Sequence, residues 1–448
     1  MKSEIQTLLN QLECGHTDAQ TLVESCLQRI EQDNPRIHAV TQVLGDTARE
    51  TARNIDDARH NGAALGPLSG LPVLIKENID VRGAVCSAGM PLFAQYRPAE
   101  DAPIVRHLRQ AGAIILGMTA SDPGAFGVRT DVTTHPQAPL HSVGGSSGGS
   151  GAAMAAGFAP VALGTDTGGS VRIPAACCLT ASLKPTFGRH DLTGIRPLAW
   201  SLDHVGPMVR RVADIAPIQK ALDPGFAATR SGLNVQDMVI GFDPAFHADA
   251  DAEIRHAMEA VLDRITAAGN RIVRVSLPTP DEIATIHGPL LFADAAAYYE
   301  AAGLADHPDL PDLPRQGIEA GLGLSATAYA RAAETRRQVR HQVSQALRQA
   351  DIILAPTLPV LTPRKQEIRV EISGKDYDYT AALVRYTSLF NHSGHPVAAM
   401  PANILEPGIG AGLQVVAAYQ RDADAVAYAA YLEALLDLDI DWTIRTPA

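Results

Sequence analysis

Two runs rich in glycine and serine hold the residues best suited to chemistry. The first is Val143-Gly144-Gly145-Ser146-Ser147-Gly148-Gly149-Ser150. The second is Gly164-Thr165-Asp166-Thr167-Gly168-Gly169-Ser170-Val171-Arg172-Ile173-Pro174. Together they offer hydroxyl nucleophiles beside closely spaced backbone donors. Glycine permits positive φ and close approach by other groups. Successive glycine amides can line a concave site for negative charge. In acyl transfer such a site is an oxyanion hole, where losing one donor typically costs about 3 kcal/mol. Thr167, Gly168, Gly169 and Ser170 are the residues whose amides would line it.

Other chemistries compete for the same runs. A phosphate-binding loop needs G-x-x-x-x-G-K-[ST], and no lysine stands in the required place. Gly144–Gly148 and Gly145–Gly149 each match G-x-S-x-G formally. A nucleophile elbow also needs a strand just before it, and His135-Pro136-Gln137-Ala138-Pro139 reads as irregular. A flexible linker fits the composition, but both flanks are apolar and rich in alanine. His204, His190 and His141 lie nearby and leave a serine–histidine mechanism open, although no carboxylate arrangement accompanies them.

The elements that must hold these runs alternate between strands and helices. Helices are expected over 3–13, from the capping pattern Thr17-Asp18-Ala19-Gln20 to Asn34-Pro35, and over 45–61. Pro72-Val73-Leu74-Ile75 is a short apolar strand running into Lys76. Asp101 caps a helix carrying Ile104, Val105 and Leu108, which stops near Gly112. Ile114-Ile115-Leu116 is the next buried strand. Later strands are expected at 238–242, 271–277, 351–355, 397–400 and 413–418, and helices at 249–268, 325–349, 378–390 and 422–436. Residues 303–316, with Pro308, Pro311 and Pro314, read as a surface loop or lid. This alternation predicts an α/β fold with a central mixed β-sheet covered by helices on both faces.

The composition narrows the partners. The 448 residues are 46% hydrophobic and carry a net charge of −12, which argues against a nucleic-acid groove and for small-molecule chemistry. Five cysteines without C-x-x-C make no disulfide framework and read as thiols in a reducing compartment. The first residues, Met1-Lys2-Ser3-Glu4, open no apolar leader, and no apolar run reaches the ~18 residues of a membrane span. A cytoplasmic location without a membrane partner is the expectation.

The two runs closely resemble the amidase signature family, which carries GGSSGG(S) and then GTDTGGS-[IV]-R-x-P about two dozen residues later. Ser146 and Ser170 stand in those positions. Gly70-Leu71-Pro72-Val73-Leu74-Ile75-Lys76-Glu77-Asn78 looks like the family's lysine strand. Leu183 to Arg189, Ser201 to Pro207, Asp351 to Thr357, Phe390 to Pro396 and Gly412 to Val415 follow in family order. The resemblance therefore spans nearly the whole chain.

It implies one amidase signature domain over 1–448. Within it, 1–65 is a helical layer, 66–210 the catalytic core, 211–350 a variable substrate-shaping region and 351–448 the rest of the core. It also implies a Ser–cisSer–Lys triad of Ser170 (nucleophile), Ser146 (proton shuttle, after a cis peptide) and Lys76 (base). Ser147, Asp166 and Arg172 become supporting residues, the last two as an ion pair holding the loop. Lys76 serves as base only when neutral. Bringing a lysine from ~10.4 to near 7 takes about 4 kcal/mol of bias, which burial at a strand end can supply. Without the serine runs, Lys76 would read as the solvated end of a strand. The implied reaction is hydrolysis of a small amide through an acyl-enzyme, with no metal or other cofactor. Alternatives are an amidotransferase A-type subunit working with a small accessory subunit, or a non-catalytic scaffold; homodimerisation stays open. Three stretches depart from the family pattern: Gly117 to Gly127, where GKTNMxEFA is common; His135-Pro136, where Asn-Pro is common; and Cys177-Cys178. The first lies near the family's acyl pocket and weakens substrate inference.

Overall fold

The computed structural model describes residues 3–226 and 234–445. Met1, Lys2, residues 446–448 and residues 227–233, the last within the expected substrate-shaping region, lie outside the described residues. In chain order the strands are β1 (Val40–Val43), β2 (Pro72–Lys76), β3 (Ile114–Thr119), β4 (Val161–Asp166), β5 (Ala181–Lys184), β6 (His204–Val209) and β7 (Ile240–Phe242). They continue as β8 (Ile272–Arg274), β9 (Ile352–Pro356), β10 (Arg369–Ile372), β11 (Lys375–Asp378), β12 (Val397–Pro401) and β13 (Gly412–Ala417). Eleven of them form one sheet in the order β1-β3-β2-β4-β6-β5-β12-β13-β9-β7-β8, while β10 and β11 pair as a separate hairpin. The main sheet is mixed: β2 is parallel to β3 and β4, and β4 is antiparallel to β6.

Side-chain alternation explains why helices cover both faces. Successive strand residues point to opposite faces. Val73 and Ile75 of β2 enter one apolar cluster with Ile115, Val161 and Leu163. Leu74 enters the other with Ile114, Leu116 and Ala162. Helices Ala19–Ile37, Gly45–His60 and Gly148–Ala156 cover that second face through residues such as Val23, Ala52 and Ala152. Helices Pro103–Gln110, Ala252–Ala267, Pro280–Ala301 and Asp422–Leu436 contribute to the first cluster. Strands buried on both sides read as continuous apolar runs, which is the character of Val73 to Ile75.

Several boundaries differ from the sequence expectation. The second helix does not stop at Asn34-Pro35 but runs to Ile37, with Asp18 rather than Thr17 as its cap. Pro35 falls in the last turn, and only Arg36 and Ile37 of the helix lie beyond it. His38 closes the helix in the left-handed region, its N–H donating to Asn34 O at 2.7 Å. The Asn34 side chain bonds both the N–H and the O of Val40 at 2.8 Å, and so sets the entry to β1, a strand absent from the sequence reading. Residues 303–316 are not loop throughout. Helix Asp312–Leu322 starts within them, and Pro314 is tolerated in its first turn. The expected helix over 378–390 is two short ones, Tyr379–Val384 and Ser388–Ser393, and the strand over 271–277 shrinks to β8.

Candidate active site

The sheet brings the lysine and the second serine-bearing run together. β2 and β4 pair in parallel with Ile75 opposite Leu163, so Lys76 and Thr165 emerge at the same end of the sheet. Lys76 is fully buried. Its Nζ donates to Ser146 Oγ at 2.8 Å and to Thr165 Oγ1 at 2.9 Å. Thr165 Oγ1 also accepts from Asn78 Nδ2 at 3.1 Å. Burial lowers the Lys76 pKa to about 7, against the pull of the surrounding carboxylates Asp122, Asp166, Asp203 and Glu77. The turn after Lys76 is fastened by Glu77, whose carboxylate accepts from Ser121 N at 2.9 Å and Ser87 Oγ at 2.8 Å.

The first glycine run delivers Ser146 and then becomes helix Gly148–Ala156. The Gly145–Ser146 peptide is cis. Ser146 O accepts from Asp122 N at 3.1 Å. A side chain at Gly149 would overlap the backbone of Ala120, so only glycine lets this helix lie so close to the segment after β3. Ser147 turns away from Lys76: its Oγ donates to Thr165 O at 3.1 Å, and its N–H donates to Ser170 O at 3.2 Å. That last bond joins the two runs, tying Ser170 to the immediate neighbour of Ser146.

The second run is held by its own ion pair. Arg172 and Asp166 are both buried and meet at 2.9 and 3.0 Å in bidentate fashion. Arg172 also donates to Gln414 Oε1, Asn391 Oδ1 and Thr387 O at 2.7, 2.7 and 2.8 Å. Burial alone would raise the Asp166 carboxyl, but the Arg172 charge and its hydrogen bonds outweigh it and hold the pKa far below the usual range. Asp166 accepts from Gly169 N at 2.9 Å and Val171 N at 3.2 Å. Of the four expected oxyanion amides, Gly169 is thus already engaged. Gly169 has φ +139°, and a side chain there would overlap Thr387 Oγ1. Thr167 Oγ1 donates to Asp203 at 2.5 Å, and burial pushes the Asp203 carboxyl up to about 7.

The departures from the family pattern have local explanations. Asp122, inside the altered stretch, is buried and accepts from Arg129 N, Thr130 N and Thr130 Oγ1 at 3.0–3.1 Å. Burial raises its pKa to about 6. His135 braces the loop before the first run. Its Nε2 faces Cys177 O at 2.8 Å, while Nδ1 accepts from Ala138 N at 3.0 Å. Those partners assign the proton to Nε2. Cys177 and Cys178 are buried thiols, and burial pushes Cys177 up to about 12. Among the alternative histidines, His204 lies between Asp166 O (3.2 Å) and Lys184 Nζ (3.1 Å), and His190 bonds Gln219. Both rings are committed to groups other than the serines.

Sequence reasoning missed Thr165, Asn78, Asp122, Asp203 and His287. Thr165 and Asn78 sit inside quoted motifs, so position alone could have flagged them. His287 carries no such signal. It comes from helix Pro280–Ala301 and lies with its Nε2 2.9 Å from where a Cβ on Gly168 would stand. His287 and Val384 line a cavity of about 480 Å³ with Phe126, Phe292 and Leu313, so this largely apolar cavity abuts the Gly168 turn. Among the described residues no helix is long and apolar enough to cross a membrane.

Comparison with known proteins agrees with this architecture. A family model described as Amidase matches residues 21–426. An amidase from Pseudomonas putida is 33% identical over 418 residues, covering 89% of this chain and 88% of that protein. The A-type subunit of the glutamyl-tRNA(Gln) amidotransferase from Synechococcus sp. (strain CC9605) is 31% identical, covering 91% of each. A crystal structure of an amidase superposes with a TM-score of 0.89 at 32% identity, covering 97% of this chain and 99% of that one. With the mixed sheet, the two glycine–serine runs and the buried lysine already in place, these matches show that the chain belongs to the amidase family, hydrolases of amide C–N bonds.

Proposed function

We propose that this amidase hydrolyses a small amide with Ser170 as nucleophile, Ser146 as proton shuttle and Lys76 as base, through an acyl-enzyme. The observation that carries this reading is Lys76, fully buried, bonded to Ser146 and drawn to about 7. A serine hydroxyl is a weak nucleophile until a base takes its proton. A lysine that is neutral near pH 7 can do so, and Ser146 carries the proton between them. As Ser170 Oγ bonds to the carbonyl carbon, the carbonyl oxygen takes the negative charge. The amides of Thr167, Gly168 and Ser170 carry most of its stabilisation, because the Gly169 N–H already serves Asp166. The proton returns through Ser146 to the leaving nitrogen, the C–N bond breaks, and water repeats the cycle on the ester. The cavity beside Gly168 supports a compact, mainly apolar substituent on the substrate.

The test is ammonia release from a panel of short amides and ureas, with Ser170→Ala as control. Activity is expected in the wild type and not in the variant; full activity in Ser170→Ala would refute the nucleophile. Similarity to the A-type subunit of the amidotransferase supports a second reading, in which a small partner protein is required. Under that reading the isolated chain is idle on the panel and gains activity with a copurifying partner.

A further inference from the structure

Behind the His287 side of the site lies a second cavity, of about 180 Å³, between helices Ala326–Ala346 and Ser388–Ser393. It is small against the several hundred Å³ of a typical metabolite pocket. Its wall is chemically one-sided. Arg336, Arg337 and Arg340 line it and no carboxylate does, in a chain of net charge −12. Arg337 is neutralised by Glu334 at 2.7 Å. Among the described residues no ion pair engages Arg336 or Arg340. Arg336 Nη1 donates to Ser201 O at 3.1 Å, and the Arg340 guanidinium lies over the Tyr419 ring.

The polar atoms of the same wall point to what is wanted there. Ser201 Oγ, Ser393 Oγ and His392 Nδ1 are buried without a hydrogen-bond partner, and all three residues line this cavity. Ser393 and His392 are 0% and 4% exposed. Buried polar groups are ordinarily satisfied. Two hydroxyls and an imidazole N–H donate to an anion as well as guanidinium does. Arginine adds a planar fork that matches carboxylate and phosphate oxygens.

We propose that this cavity is a binding site for a small oxyanion, a carboxylate or phosphate group held by Arg336 and Arg340 and capped by Ser201, His392 and Ser393. Occupation has a structural consequence. His392 Nε2 lies 3.1 Å from His287 Nδ1. An anion that draws the His392 proton to Nδ1 leaves Nε2 to accept from His287 Nδ1–H. The other ring nitrogen of His287, facing Gly168, then presents a lone pair. The bound anion therefore fixes which tautomer of His287 borders the 480 Å³ cavity.

The experiment is calorimetric titration of the full chain with inorganic phosphate and with acetate, at ionic strength matched by potassium chloride. Saturable binding is expected, weakened at least about tenfold in Arg336→Gln and in Arg340→Gln. Both positions lie on one face of a partly exposed helix, so two single variants guard against a folding artefact in either. Absence of saturable binding, or binding in both variants equal to that of the wild type, would overturn the proposal. Titration of Ser170→Ala with succinamate and butyramide separates the sources of the anion. If phosphate competes with succinamate, and Arg336→Gln removes its preference over butyramide, the occupant is a substrate carboxylate. Phosphate binding without that preference identifies a free anion. This last comparison alone rests on the amidase reading.

Discussion

Replacing Asp122 by asparagine gives the sharpest test of how Lys76 works. Burial brings the Lys76 amine from 10.5 to about 7, a bias of roughly 5 kcal/mol toward the neutral form. Asp122 is first among the carboxylates that oppose it. Asparagine keeps an oxygen for the N–H groups of Arg129 and Thr130 but removes the charge. With that charge gone the ammonium form loses support, so the Lys76 pKa falls further, by about one unit for an opposite charge at close range. If neutral Lys76 is the base, kcat/KM in the wild type falls about tenfold per pH unit below 7, and in Asp122→Asn the fall begins about one unit lower. Asp122 itself titrates near 6, so its charge is present where the wild-type limb begins and is lost further down; the two limbs are therefore compared by where each begins to fall, above about pH 6. The assay is ammonia release as a function of pH from about 5 to 9. An acid limb that stays in place or moves upward would refute the reasoning, as would an unchanged limb in Lys76→Ala, which should lose at least about 100-fold in activity.

Three further outcomes follow from the same geometry. Lys76→Met should be more stable than wild type at neutral pH, by up to roughly 5 kcal/mol in urea unfolding. Above 10.5 both folded and unfolded lysine are neutral and the gain is absent. It grows as pH falls from 10.5, because only the unfolded chain binds the proton, and levels off below about 7; a gain independent of pH would contradict this. Thr165→Val removes an acceptor of the Lys76 ammonium, so the acid limb should shift to lower pH with about a tenfold loss in kcat, and an unshifted limb would count against it. Arg172→Gln strands the buried Asp166 carboxylate and should cost about 3–5 kcal/mol in urea unfolding; a loss under about 1 kcal/mol would mean the pair does not hold the loop.

The parts legible in the sequence were those where one residue's type and its neighbours suffice. Val73 to Ile75 announced a strand buried on both faces, and the two glycine runs announced close backbone approach. What the sequence withheld depends on pairing across distance. Thr165 matters because β4 lies parallel to β2 and sets its hydroxyl beside Lys76. Asp203 matters because the turn before β6 returns its carboxylate to Thr167. His287 and His392 are 105 residues apart and meet only when two helices pack. Pro35 misled by only a few residues: the helix carries on through it, but only to Ile37.

The division between sheet and helices has a consequence for how such a protein can diverge. The proposed base, Thr165 and the loop bearing Ser170 are anchored on neighbouring central strands, whereas the 480 Å³ cavity is walled largely by helices Pro280–Ala301, Asp312–Leu322 and Tyr379–Val384. In the proposed reading, bond-breaking and substrate choice therefore rest on separate elements of the fold. Exchanging 280–322 and 379–388 between relatives should transplant preference while leaving the lysine's proton affinity behind, so that new amides are acquired without the chemistry being reinvented.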